Sequence, residues 1–242
     1  MSKVFVINIG NTNTQYGLCI NGKIENIQYI PTHTLSAEII PPEVPVAIAS
    51  VVPAKNLIFS DLDVFFVSWK NQTPVDFSSI DYKSMGADRI ANAVALAKYA
   101  NLPAMCIDCG TAITIEVVDS DFRLAGGIIA PGRKLWRKSL NNYTALLPYI
   151  ENFDSQIPDS TLATTTETAI LAGCDVGIIG MVRELIQKIT EDLGGIQCQI
   201  FATGGDADIF TSNIENITPV GPDFTLRGIA AIYHKNADLL KK

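Results

Sequence analysis

Two stretches of the chain echo each other. "INIGNTNTQYG" begins at Ile7 and "IDCGTAITIEV" begins at Ile107, and they align without a gap. Asn8 lies over Asp108, Gly10 over Gly110, Thr12 over Ala112 and Thr14 over Thr114. Each reads as a strand, a tight turn and a returning strand. Glycine at such a turn lets backbone N–H groups come close to a ligand, and threonine hydroxyls add donors. That is chemistry for cradling phosphate. A carboxylate on the entering strand, as at Asp108, reaches a bound cation, since magnesium prefers carboxylate and water oxygens. Asn8 offers an amide at the same place. A third Gly-rich turn, "TGGDAD" at residues 203–208, suits an approach to ribose or adenine.

A further pair sits in "MGADR". Asp88 and Arg89 there allow two readings. One is a first-turn helix acid with a surface salt bridge. The other is Asp88 as a general base and Arg89 as a fork for a carboxylate or phosphate.

Other chemistries find less support. No Walker A sequence occurs: residues 127–134 read "GIIAPGRK", with the lysine displaced and no hydroxyl residue after it. No G-x-G-x-x-G follows a strand. Cys106 and Cys109 form a C-x-x-C, but in an extended run they point to opposite faces. The only histidines are His33 and His234, too few for a zinc site or a histidine-based triad. Five scattered cysteines suggest reduced thiols and a cytoplasmic protein. The formal net charge of -7 argues against a nucleic-acid surface. "MSKVFVINIG" turns polar too soon for a signal peptide, and no run of about 18 apolar residues suggests a membrane span.

Elements must position these residues. The 242 residues are 48% hydrophobic and 18% charged, which suits one large domain or two small ones. "KVFVINIG", "TQYGLCI" and "IENIQYI" read as strands, with a hairpin at Asn21 and Gly22. "VPVAIASVV" and "DVFFVSW" read as buried strands. Residues 84–101 read as a helix, with Ser84 as N-cap and Ile90, Val94 and Ala97 on its apolar face. The pattern then restarts near residue 103 with strand, turn, strand, turn, strand. A helix with a basic face follows over 132–147, and a long helix over 166–194 contains Gly173, Gly177 and Gly180. A close helix contact, in the core or in a dimer, is expected at those glycines. "CQIFATGGDADIF" is a strand running into the third turn, and 225–242 is the last helix. The gapless match in corresponding places predicts an internal duplication, with domains over 1–102 and 103–242.

The hairpins and late G-G turn resemble the acetate and sugar kinase/Hsp70/actin superfamily. The fuller set is "GNTNT", "GADRIANA", "IDCGTAIT", "GGIIAPG", "TALLP", "TTETAILAG" and "TGGDAD". In order and spacing, from residue 7 to about 229, it resembles type III pantothenate kinase. The resemblance implies ATP-dependent phosphorylation of pantothenate to 4'-phosphopantothenate, the first step of coenzyme A synthesis. It implies an α/β fold of two ribonuclease-H-like, actin-like ATPase domains with a nucleotide cleft between them. It also implies a homodimer, Mg2+ and a monovalent cation, K+ or NH4+. Carried over by position, Asp88 takes the hydroxyl proton. Gly86 and Arg89 hold pantothenate, Tyr82 lines its pocket, and Thr166 contributes across the dimer interface. Gly10, Asn11 and Thr12 hold phosphates from one side, and Gly110, Thr111 and Ala112 from the other. Gly204 and Gly205 approach the adenosine. Asp108 sits by the cations together with position 8, where family members carry Asp and this chain carries Asn8. That departure opens an alternative: a catalytically weak or inactive homologue with a ligand-binding or regulatory role. Another kinase or phosphatase of the superfamily is a third reading.

Overall fold

The computed structural model describes residues 3–151, 157, 158 and 160–237. The chain divides into two compact units. One takes residues up to Ala104, Glu116–Gly126 and residues from Gly221 onward; the other takes Met105–Ile115 and Gly127–Val220.

The first sheet has the order β3-β2-β1-β4-β5, from β1 (Lys3–Ile9), β2 (Asn13–Ile20), β3 (Lys23–Pro31), β4 (Val46–Ser50) and β5 (Val64–Phe66). β1 is antiparallel to β2 and parallel to β4. Asn21 and Gly22 close the β2–β3 hairpin with φ of 51° and 85°, the left-handed pair an Asn-Gly turn requires. β1 is buried on both faces from Val4 to Ile7, because both sides of the sheet are covered. One face packs Phe5, Ile7, Ile9, Leu35, Val46, Ile48 and Phe59 together. Helices α2 (Ala87–Tyr99) and α7 (Phe224–Asn236) pack on each other and on strands β1 and β4, while α1 (Pro53–Asn56) is a single turn. The α2–α7 contact is so close that a Cβ at Gly228 would run into the Ala91 carbonyl. The Thr225 hydroxyl donates to Asn92 Oδ1 there at 2.8 Å.

The second sheet has the order β10-β9-β6-β7-β8. Its strands are β6 (Ala104–Cys109), β7 (Ala112–Val118), β8 (Leu124–Pro131), β9 (Gln199–Thr203) and β10 (Ile217–Pro219). Strand for strand this is the order of the first sheet, with β6 to β10 in the places of β1 to β5. The duplication expected from the turns thus extends to whole sheet topology. The halves differ between their third and fourth strands. The first has only short 3-10 turns, Thr32–Thr34 and Ala37–Ile39, where the second inserts α3 (Arg133–Asn142), α4 (Thr166–Leu171) and α5 (Gly177–Asp192). α6 (Ala207–Asn213) follows β9.

Several expectations are corrected. Ser84 lies in a separate 3-10 turn, Tyr82–Ser84, and Gly86 is the N-cap of α2. The helix expected over 166–194 is divided by a π-helical turn, Ala172–Val176. A Cβ at Gly177 would stand 3.2 Å from the Trp136 ring, so that glycine makes its close contact within the chain, while one at Gly173 or Gly180 would face open space there. The basic face of α3 is partly inverted, since Arg133 and Arg137 are fully buried. β10 was not expected, because three residues carry no readable period. Of the last helix, residues 238–242 lie outside the described residues. No helix among the described residues is long and apolar enough to cross a membrane.

Candidate active site

The second hairpin turn contains only Gly110 and Thr111. Gly110 N–H donates to the Ala112 carbonyl at 3.1 Å. Gly132, which caps α3, donates its N–H to the Thr111 carbonyl at 3.0 Å. A Cβ at Gly132 would collide with the Gly110 carbonyl and stand 2.7 Å from that of Thr111. The third turn arrives from another side. Gly204 has φ +93°, and a Cβ there would be 2.6 Å from the Cys109 carbonyl oxygen. Asp206 N–H donates to that carbonyl at 3.0 Å. Three backbone segments therefore meet at distances that only glycine permits. Asp108, half-buried, stands next to last in β6 beside them; its charge, after burial, helps to hold the Cys109 thiol protonated. Gly205 is exposed.

The first hairpin turn is longer. Gly10, Asn11 and Thr12 separate β1 from β2, and Gly10 N–H donates to the Asn13 carbonyl at 3.1 Å. Asn13 therefore corresponds to Ala112, and Thr14 corresponds to Ile113. The gapless alignment fails beyond the glycine, because a one-residue slip in a strand exchanges its faces. Thr14 and Ile113 are indeed both buried. Thr32 braces this turn: its hydroxyl donates to the Gly10 carbonyl at 2.7 Å, and its N–H to the Thr12 carbonyl at 2.9 Å. A hydroxyl has one proton, so the 3.0 Å contact between Thr14 and Thr32 has Thr14 as donor. Asn11 and Thr12 are exposed.

Asn8 sits on β1 opposite Gln15 of β2 and Ala49 of β4. Its Oδ1 is buried and has no hydrogen-bond partner among the described residues. An orphaned buried oxygen is costly, about 1–3 kcal/mol. An oxygen-loving cation or its bound water would satisfy it. Among the described residues no three His, Cys, Asp or Glu side chains cluster to cage a metal. Magnesium keeps waters and substrate phosphates and needs only one or two protein oxygens, so a lone oxygen such as Asn8 Oδ1 fits it.

Asp88 and Arg89 open α2. A Cβ at Gly86 would stand 2.6 Å from Asp88 Oδ1, so Gly86 gives the carboxylate its space. Asp88 Oδ1 accepts from Arg89 N–H at 2.7 Å. Burial pushes the Asp88 carboxyl up from its ordinary value, against the pull of the Arg89 N–H and charge. Arg89 Nε donates to Glu116 Oε1 at 2.6 Å, and Glu116 is fully buried. The pair is thus interior, not the surface bridge of the simpler reading. Tyr82 packs between Trp69 and Phe77, with ring centroids at 6.1 and 5.6 Å. Thr166 is exposed at the start of α4, after a capping box made by Thr165 and Thr168.

One unit therefore gathers Asp108, Gly110, Thr111, Ala112, Gly204 and Gly205. The other carries Asn8, Gly10, Asn11, Thr12, Tyr82, Gly86, Asp88 and Arg89. Thr166 belongs to the first of these sets by unit but stands apart on its own helix. Sequence reasoning missed Gly132, Thr32, Glu116 and the buried pair Arg133 and Asp175. Gly132 lay inside a quoted motif, and Glu116 is a lone acid in the apolar run "AITIEVV". For Arg133 and Asp175 no local signal exists, since their meeting depends on how two helices pack.

Comparison with known proteins is consistent across methods. A family model described as type III pantothenate kinase matches residues 4–188. A type III pantothenate kinase of Methylacidiphilum infernorum is 36% identical, over 95% of this chain and 87% of its own. Among solved structures, the activator of the 2-hydroxyisocaproyl-CoA dehydratase from Clostridium difficile with bound ADPNP is similar at TM-score 0.59 and 16% identity, over 99% of this chain and 98% of its own. MreB 5 of Spiroplasma citri bound to AMPPNP is similar at TM-score 0.53 and 10% identity, over 100% of this chain and 98% of its own. At such identities the structural likeness shows fold alone, that of the actin-like and sugar-kinase proteins built from two ribonuclease-H-like halves.

Proposed function

The chain belongs to the type III pantothenate kinase family and phosphorylates pantothenate at the expense of ATP; from that premise we propose how its own residues divide the work. Gly110, Thr111 and Ala112 take the ATP phosphates at the second turn, as do Gly10, Asn11 and Thr12 at the first. Gly204 and Gly205 approach the adenosine. The observation that carries this reading is the meeting of three backbones where Gly132 and Gly204 have no room for a Cβ. Such packing holds the second and third turns in one shape, and a preorganised turn at the start of a helix suits an anion.

Asp88 accepts the proton of the pantothenate hydroxyl. A carboxylate raised by burial is a better base near neutral pH than an ordinary one. Arg89, fixed through Nε on Glu116, turns the remainder of its guanidinium to the pantothenate carboxylate. Gly86 and Tyr82 shape that pocket. Asp108 and, in the other unit, the orphaned oxygen of Asn8 are each assigned as an oxygen donor for Mg2+, whose chemistry would be to neutralise charge on the phosphates. Phosphoryl transfer asks little else of a protein than such positioning. We also assign a monovalent cation (K+ or NH4+), a homodimer in which Thr166 reaches the partner's site, cytoplasmic residence and a repeat boundary at residue 103. The resemblance of the motifs supports these four.

The ligand-binding or regulatory alternative rests on Asn8 alone. The deciding assay follows 4'-phosphopantothenate with ATP, pantothenate, magnesium and potassium, for this protein and for Asn8→Asp. Turnover that requires both substrates is expected. No product from either protein at high enzyme concentration overturns the assignment of residues.

A further inference from the structure

A buried ion network lies directly behind the third turn. Arg133 grips Asp175 with two bonds, Nε to Oδ1 at 3.2 Å and Nη2 to Oδ2 at 3.1 Å. Arg137 adds Nη2 to the same Oδ2 at 2.6 Å. Arg133 also reaches out through Nη1 to Asp206 Oδ1 at 3.4 Å. Arg133, Arg137 and Asp175 are each about 1% exposed, whereas Asp206 keeps 27% of its side chain in solvent. Asp175 points inward because it lies in the π-helical turn, where the extra residue rotates a side chain off its regular path.

Such a network is poor insulation. Two guanidiniums and two carboxylates must shed water, and well-packed apolar residues often stabilise as much. What it adds is a fixed position. Asp206 is held twice, by its N–H on the Cys109 carbonyl and by its carboxylate on Arg133. Arg133 follows Gly132, whose N–H is bonded to Thr111. One arginine therefore ties the start of α3, and the turn it touches, to the third turn.

We propose that Arg133 is a positioning residue for the nucleotide: anchored by Asp175, it holds Asp206, and with it Gly204 and Gly205, against the Cys109 backbone in the arrangement that binds ATP. The proposal rests on the assignment of the third turn to the nucleotide, and Gly205→Ala, whose Cβ would meet nothing within 4 Å, tests that assignment separately.

Arg133→Lys keeps the buried charge and loses the fork. Asp206→Asn keeps an acceptor and loses the charge. Both are compared, singly and together, with the unsubstituted protein by KM for each substrate, calorimetric ADP affinity and thermal midpoint. Each single change is expected to raise the ATP KM and the ADP Kd about tenfold, the scale of one charge-assisted hydrogen bond. The pantothenate KM should stay within about twofold, since uniform loss is the mark of a merely structural role. The double substitution should be no worse than the worse single one, because both cut the same link. Equal shifts in both KM values, no shift in either, or additive losses overturn the proposal when Gly205→Ala raises the ATP KM. If Gly205→Ala leaves ATP KM and ADP affinity unchanged, the nucleotide assignment of the turn falls first, and this inference with it.

Discussion

The two repeated turns have kept one topology and diverged in how they are built. The second is short, ends a strand carrying Asp108, and is walled in by Gly132 and Gly204. The first has one more residue, follows a strand carrying Asn8, and is braced by the hydroxyls of Thr32 and Thr14. In the second, backbone packs on backbone, so the shape leaves no freedom. In the first, a side chain does the bracing, so the shape tolerates change. The lesson is that a duplicated turn can be rigid in one copy and adjustable in the other, and that charge went with the rigid copy.

The largest test of that division removes the charge. Asp108→Asn leaves both turns with an amide, and kcat/KM should fall by roughly a thousandfold, the several kcal/mol that metal-assisted charge neutralisation supplies. A loss under about tenfold would show that the second turn is not where the magnesium is held. Gly132→Ala probes rigidity instead. Its Cβ has to displace the Gly110 and Thr111 carbonyls, so thermal stability should drop by about 3 kcal/mol or more, in the range of overpacked cores. Gly10→Ala meets only the Asn13 carbonyl, at 2.9 Å, in a turn without such walls, and should lose less. Equal losses measured by denaturant titration would erase the distinction between the turns.

Asn8→Asp runs the comparison in reverse. Restoring the carboxylate should raise kcat/KM about 10–100-fold, as for a change in the outer shell of a metal. It should also make the thermal midpoint rise with magnesium more steeply than in the unsubstituted protein, because a buried carboxylate without a cation is costly. A midpoint insensitive to magnesium in both proteins would mean that position 8 lies away from the metal.

How much of this was readable beforehand follows from where each signal lives. Asn21 and Gly22 carry their turn in their own backbone preferences, and the hairpin was legible. The glycine of each repeated turn was legible for the same reason. The length difference between the turns was not, because "GNTNT" and "CGTAIT" are alike in small polar residues and a one-residue slip leaves no trace in composition. Arg133 and Arg137 looked like a solvent face, since nothing near them in the chain announces Asp175, some forty residues on. The π-turn that brings Asp175 inward is invisible for a related reason: its sequence, "AGCDV", is ordinary helix. Ser84 was misread because a capping residue was sought where Gly86 and an extended Met85 already end the preceding turn.

Asp88 lies in neither turn and so serves as a control on both. Its carboxyl is raised by burial, and in the role we propose for it, that of the base, it must be ionised to act. Activity should therefore climb with pH through a limb above the ordinary carboxylate range, and Asn8→Asp should leave that limb in place. The same shift has an opposite consequence for stability. Between the ordinary value and the raised one, the folded protein holds a proton that the unfolded chain has released, so stability falls as pH rises through that window. Asp88→Asn should flatten both dependences and lower kcat by about 100-fold or more. A limb that moves when Asn8 becomes acidic would mean that the two positions titrate as a coupled set.

The smallest expected effect concerns the brace of the first turn. Thr32→Val keeps the shape of the side chain and removes the donor to the Gly10 carbonyl and the acceptor for Thr14. Thr32 N–H still holds the Thr12 carbonyl, so the turn does not come apart. The stability loss should be about 1–2 kcal/mol, because one hydroxyl of Thr14 and one carbonyl lose their partner. The ATP KM should rise by about threefold, less than one full hydrogen bond, because the turn is exposed and water takes over part of the bonding. If the first turn is as rigid as the second, the same substitution will instead cost kcat as heavily as Asp108→Asn, and the contrast between the two copies will reduce to charge alone.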